Sequence, residues 1–149
     1  IKGAQAVAAS IFIALHWTGE IDELKVHIRD FVTNQFEYNM NRTLNEIRPR
    51  YEFDVSCQGS VPEAIIAFLE ADSYEDAIRN AVSLGGDADT QGAIAGAIAA
   101  CVYPIPEYII KECQKRLSDD LLKVVIRFEA YLDNEWQNKI SLPCSCLQP

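Results

Sequence analysis

The chain has 149 residues, 49% of them hydrophobic and 23% charged, which is enough apolar mass to bury a core and excludes a disordered chain. A formal net charge of −9 leaves no basic stripe to neutralise a phosphate backbone, which argues against a nucleic-acid partner and suits divalent cations instead. Five cysteines, an odd number without framework spacing, point to a reducing, cytoplasmic setting.

The chain starts at Ile1 and enters a helical pattern at once, with Ala4, Val7, Ala8, Ile11, Phe12 and Leu15 recurring between Gly3 and Leu15. A signal peptide fits poorly, because no basic region precedes the apolar stretch and no small-residue cleavage site follows it. The chain is therefore expected to be part of a longer protein. Ile21, Leu24, Ile28, Phe31 and Val32 form a second amphipathic stripe, and a short helix around Arg42 to Ile47 ends before Pro49. Tyr51, Phe53 and Val55 alternate with Glu52 and Asp54, a strand-like pattern too short and solitary for a sheet, which reads as an extended loop.

Ser60-Val61-Pro62-Glu63 has the form of a capping box with proline just inside the helix start, ahead of Ala64, Ile65, Ala67, Phe68 and Leu69. Ser73, with Asp76 three residues on, opens a helix carrying Ala77, Ile78, Ala81, Val82 and Leu84, and Gly85-Gly86 stops it. The segment from Gly92 to Val102 is apolar on every side, which predicts a central buried helix. It is much shorter than the roughly 20 residues of a membrane span. Gly92 and Gly96, four apart, are expected to admit a neighbouring helix. A helix from Pro106 to the region of Leu117 follows, and Ser118 caps a last one in which Leu121, Val125, Phe128 and Leu132 share a face. Cys144-Ser145-Cys146 reads as a solvated tail without function. The expected fold is all-α, a compact multi-helical bundle around the apolar helix, with no membrane association.

Chemistry concentrates at Asp87, Asp89 and Thr90, three oxygen-bearing side chains on a glycine-made turn in front of the apolar helix. One reading is helix capping, since acids favour a helix start. The other is a hard divalent cation, because two close carboxylates repel unless a cation lies between them. An EF-hand fits poorly, since Ala95 and Ile98 stand where its loop needs oxygen ligands. The remaining adjacent acids, Asp22-Glu23, Glu75-Asp76 and Asp119-Asp120, fall in first turns of predicted helices, where dipole effects explain them. His16 and His27 read as structural.

The run Leu84-Gly85-Gly86-Asp87-Ala88-Asp89-Thr90, then Gly92-Ala93-Ile94-Ala95-Gly96-Ala97, Tyr103 and Ile105-Pro106, resembles the C-terminal signature of the ADP-ribosylglycohydrolase family, which includes the dinitrogenase reductase-activating glycohydrolases. Lys2 to Ala8 and Cys57-Gln58-Gly59-Ser60-Val61-Pro62 also fit, so the resemblance spans most of the chain up to the closing cysteines. It implies an all-α fold with two divalent cations, magnesium or manganese, and hydrolysis of the bond from the distal ribose to a protein side chain or small leaving group. By that analogy Asp87, Asp89 and Thr90 are metal ligands, with Asp89 as the bridge. Gly85 and Gly86 would admit the substrate, and Phe53, Tyr51 or Tyr103 would stack on adenine. The partner would be an ADP-ribosylated protein or an ADP-ribose derivative.

The family's N-terminal Thr-Asp-Asp motif does not occur in this chain. Residues 1–149 are therefore expected to be the C-terminal part of one domain, active only with a missing N-terminal segment and burying apolar faces against that segment or a second copy. A non-catalytic nucleotide- or cation-binding helical module is the alternative, with a purely structural helical subunit behind it.

Overall fold

A computed structural model describes the backbone of residues 1–140 and the side chains of residues 1–132. The Cys144-Ser145-Cys146 tail lies outside the described residues. Two compact units can be distinguished, Ile1–Pro106 and a second beginning at Glu107, and each is described by itself. The fold is all-α, as the sequence predicts, with no strand among the described residues. The chain from Tyr51 to Val55 is indeed an extended loop.

In the first unit, α1 (Lys2–His16), α2 (Ile21–Phe36), α3 (Leu44–Ile47), α4 (Cys57–Leu69), α5 (Tyr74–Val82) and α6 (Ala88–Ala99) surround one core. Its centre is α4, in which every residue from Ser60 to Leu69 is buried and on which α1, α3, α5 and α6 all pack. This corrects the expectation that the helix after Asp89 is the least accessible. Alanine and glycine make α6 apolar on every side after its first turn, yet Ala93 and Ala97 remain exposed, as does its C-cap Ala100. A methyl group loses little by facing water, whereas Ile65, Ile66 and Phe68 of α4 each present enough apolar area to demand full burial.

The start of α4 also departs from the sequence pattern. Ser56, not Ser60, is the N-cap, its Oγ accepting the Gly59 N–H at 3.2 Å, while Asp54 Oδ1 accepts the Ser56 N–H at 2.7 Å. Pro62 therefore sits inside the helix, where its missing donor costs only one early hydrogen bond. Ser60 instead donates its hydroxyl to the Ser56 carbonyl, 2.8 Å away. Glu63 does not return to Ser60 as a capping box requires, because it is buried and accepts from Arg42 Nη1 at 2.7 Å. The reciprocal box of this chain lies at Thr43 and Glu46, which the sequence reading passed over, and Ser73 caps α5 through the Asp76 N–H as expected.

The α5–α6 pair is held close by Gly96, where a β-carbon would come within 2.7 Å of Ile78 Cδ1. Gly92 has open space around it, so only one of the two predicted small-residue contacts is used. On α1, Phe12 and Leu15 are 63% and 61% exposed.

The second unit holds α7 (Glu107–Arg116) and α8 (Asp119–Ile140). On α7, Glu107 pairs with Lys111, and Glu112 with Lys115 and Arg116, at 2.6–2.7 Å and one turn apart. The predicted apolar face of α8, Leu121, Val125, Phe128 and Leu132, is exposed. No helix among the described residues is long and apolar enough to cross a membrane.

Candidate functional site

The turn between α5 and α6 is built by two unlike glycines. Gly85 takes φ +77°, the left-handed conformation that ends α5, with nothing within 4 Å of where a side chain would start. Gly86 is crowded by the Tyr51 ring, into which a β-carbon would project. Asp87 follows with φ −72° and ψ 72°, and the Ala88 N–H donates to the Gly86 carbonyl at 2.8 Å, an inverse γ-turn.

That turn separates Asp87 from ordinary capping. Thr43, Ser56 and Ser73 each accept the N–H three residues on, whereas Asp87, in the same N-cap position, makes no side-chain cap bond. Its half-buried carboxyl is turned instead toward Asp89 in the first turn of α6. A hydrogen bond with the Asp87 side chain, then the backbone N–H groups of Thr90 and of Asp89 itself, hold the Asp89 carboxyl below the usual carboxylate range. The Thr90 N–H donates to Asp89 Oδ1 at 2.9 Å. Asp89 and Thr90 are exposed, so two carboxyls and a hydroxyl gather at one solvent-facing turn.

These donors suit a hard cation, since neighbouring carboxylates repel unless a cation lies between them. The ligand set is partial. Among the described residues no group of three His, Cys, Asp or Glu side chains gathers to hold a metal.

Beneath the turn lies a polar support that the sequence reading missed. The Tyr51 hydroxyl donates to the Gly59 carbonyl at 2.7 Å and accepts from Gln91 Nε2 at 2.8 Å. Gln91 is 0% exposed, and its Oε1, like Glu63 Oε2, has no partner among the described residues. Burial first, then the charges of Glu63, Asp54 and Asp87, push the Tyr51 hydroxyl up to about 12. One signal was available in the sequence: a glutamine one residue after Thr90, at the head of a helix otherwise made of alanine, glycine and isoleucine.

The three aromatics proposed for stacking separate clearly. Phe53 is 71% exposed on the loop after Tyr51. Tyr51 is committed to supporting Gly86 and Gln91. Tyr103 donates its hydroxyl to the Ala71 carbonyl at 2.8 Å and packs on the core.

Substituting Gly86 by alanine is expected to displace the Tyr51 ring and lower stability by about 1–3 kcal/mol, the usual range for overpacking. Gly85→Ala meets open space but keeps the left-handed φ, at a cost of about 1–2 kcal/mol. Thermal melts of both variants check this, and a Gly86→Ala protein as stable as the parent would contradict the close Tyr51 contact.

A sequence profile of the family described as ADP-ribosylglycohydrolase matches residues 1–138. No curated protein and no solved structure matches the chain.

Proposed function

Because the chain belongs to the ADP-ribosylglycohydrolase family, we propose that Asp87, Asp89 and Thr90 supply part of a divalent-cation site for hydrolysis of an ADP-ribosyl bond. The observation that carries this is the pairing of the Asp87 and Asp89 carboxyls at a turn where neither caps the helix through the usual N–H. Magnesium or manganese, one ion or two, bound there supplies Lewis acidity toward a water or a ribose oxygen.

The chain's own groups have separable tasks. Asp89, whose hydrogen bonds hold its carboxyl below the usual range, would offer a charged ligand, and the family resemblance makes it the candidate bridge if two ions bind. Asp87 offers a second carboxylate set at a fixed spacing by the γ-turn, and Thr90 a neutral hydroxyl. Open space at Gly85 leaves room for close approach of the distal ribose, and Phe53 offers an exposed face for adenine. Hydrolysis places the hydroxyl of water on the ribose C1″ carbon and its proton on the leaving group. Further oxygen ligands come from waters, the substrate, or an upstream segment or second copy beyond residues 1–149. The incomplete ligand set also favours a second reading, a cation- or nucleotide-binding module without catalysis.

Manganese titration of the chain, followed by loss of the free-ion electron paramagnetic resonance signal, tests the site. Asp89→Asn is expected to weaken binding by at least about tenfold, Asp87→Asn by less, and Thr90→Ala least, since water replaces a hydroxyl easily. Equal manganese affinity in the parent and Asp89→Asn would return both acids to a capping or solvated role. Release of ADP-ribose from a modified protein by a protein that includes any upstream segment then separates the enzyme from the module.

A further inference from the structure

A cavity of about 670 Å³ opens beside α3, and neither Asp87 nor Asp89 lines it. Asn41, Arg42, Asn45, Arg50 and Tyr51 contribute to its wall. Two arginines share this wall with Glu46, and since Arg42 is ion-paired with Glu63, the positive charge left open to a ligand is that of Arg50.

Their bonding states differ in a useful way. Arg42 is fixed, with Nη1 donating to the buried Glu63 at 2.7 Å and Nε to the Asn39 carbonyl at 3.2 Å. Its Nη2 has no hydrogen-bond partner among the described residues. The Arg50 side chain forms no hydrogen bond or ion pair among the described residues and is exposed, while its backbone N–H donates to the Ile47 carbonyl at 3.0 Å. The carboxylate on the same wall, Glu46, does not neutralise it. It forms no ion pair with Arg50, because its Oε2 accepts the N–H and the hydroxyl of Thr43, at 2.8 and 3.0 Å, and its charge makes anion binding depend on the guanidinium of Arg50 being left unpaired. Asn45 turns its Oδ1 to Arg48 Nη1 at 2.9 Å, which leaves its amide N–H groups as donors.

We propose that this cavity binds an oxyanion, the carboxylate or phosphate group of a ligand, between the fixed guanidinium of Arg42 and the unpaired one of Arg50. A guanidinium fork matches two oxygens of either group, and an anion here gains charge-assisted bonds without first breaking an existing pair at Arg50. The volume exceeds that of a single oxyanion and accommodates the small molecule or side chain that carries it. Tyr51 lines this cavity and also packs on Gly86, so occupancy here borders the carboxylate turn through one shared side chain.

The test is a calorimetric titration of the metal-free chain with inorganic phosphate and, separately, with succinate, at constant ionic strength against a chloride control. Saturable binding of either anion is expected, weakened about tenfold or more by Arg50→Gln and only partly by Arg50→Lys, which keeps the charge but loses the fork. Arg50 is exposed, so its variants retain the fold. Arg42→Gln also strands Glu63, and a melt run beside its titration separates lost binding from lost structure. Phosphate alone binding assigns a phosphate ester, and succinate alone a carboxylate ligand. Binding of neither, or equal binding by the parent and Arg50→Gln, overturns the proposal. Because no metal is present, the result is independent of the cation reading at Asp87 and Asp89.

Discussion

Phe68→Ala is expected to remove about 3–5 kcal/mol of stability, the range for deleting a buried aromatic ring and leaving a cavity. Phe68 is fully buried in α4, which is itself enclosed by α1, α3, α5 and α6. Those neighbours are anchored elsewhere in the core and cannot all collapse into the space. Against a typical total of about 5–15 kcal/mol, a loss of that size brings the domain close to its unfolding threshold. Phe12→Ala, at a position 63% exposed, is expected to change stability by no more than about 0.5 kcal/mol. Urea unfolding of the two variants provides the comparison, and a Phe68→Ala loss under about 1 kcal/mol would remove α4 from the centre of the core.

Tyr51→Phe is expected to act twice. At neutral pH it leaves Gln91 Nε2 without its acceptor inside a fully buried residue whose Oε1 is already unpartnered. An unsatisfied buried donor costs about 1–3 kcal/mol. The ring is retained, so the packing on Gly86 survives and manganese affinity should fall far less than in Asp89→Asn.

The second effect appears in alkali. An unfolded tyrosine releases its proton near pH 10, whereas burial and the nearby Glu63, Asp54 and Asp87 charges hold Tyr51 to about 12. Between these values the unfolded chain binds fewer protons than the folded one, so stability present below pH 10 is lost as pH rises toward 12. Tyr38, also raised by burial and by Cys57, contributes in the same direction. Subtracting the Tyr51→Phe stability curve from that of the parent isolates the Tyr51 share. A difference that stays flat from pH 9 to 12 would show the hydroxyl to be freely hydrated.

Much of this protein was legible without coordinates because its signals are local. The periodicity of α2 and α5, the Ser73 cap and the stop at Gly85 each depend on neighbours within about one turn and hold in the fold, and α1 forms as a helix but buries Gly3, Ala6, Ser10 and Ala14, while Ala4, Ala8, Phe12 and Leu15 of the apolar pattern stay exposed. The family, too, was carried by a contiguous run, from Leu84 to Thr90, and by flanking text that reads the same in any conformation.

Tertiary structure decided the rest, wherever two segments compete for one group. Glu63 three residues after Ser60 has the form of a cap. It is taken instead by Arg42, 21 residues earlier, so the helix starts at Cys57 with Ser56 as its cap. Which helix is central depended on the bulk of side chains meeting from several elements, and the large residues of α4 outweighed the uniform but thin apolarity of α6. The support of the candidate site has the same origin. Tyr51, Gly59, Gln91 and Gly86 converge from four places along the chain, and only the packing of α4 against α6 brings the hydroxyl of the first between the second and third. Periodicity and spacing describe one segment at a time, while a buried hydrogen bond is a property of two.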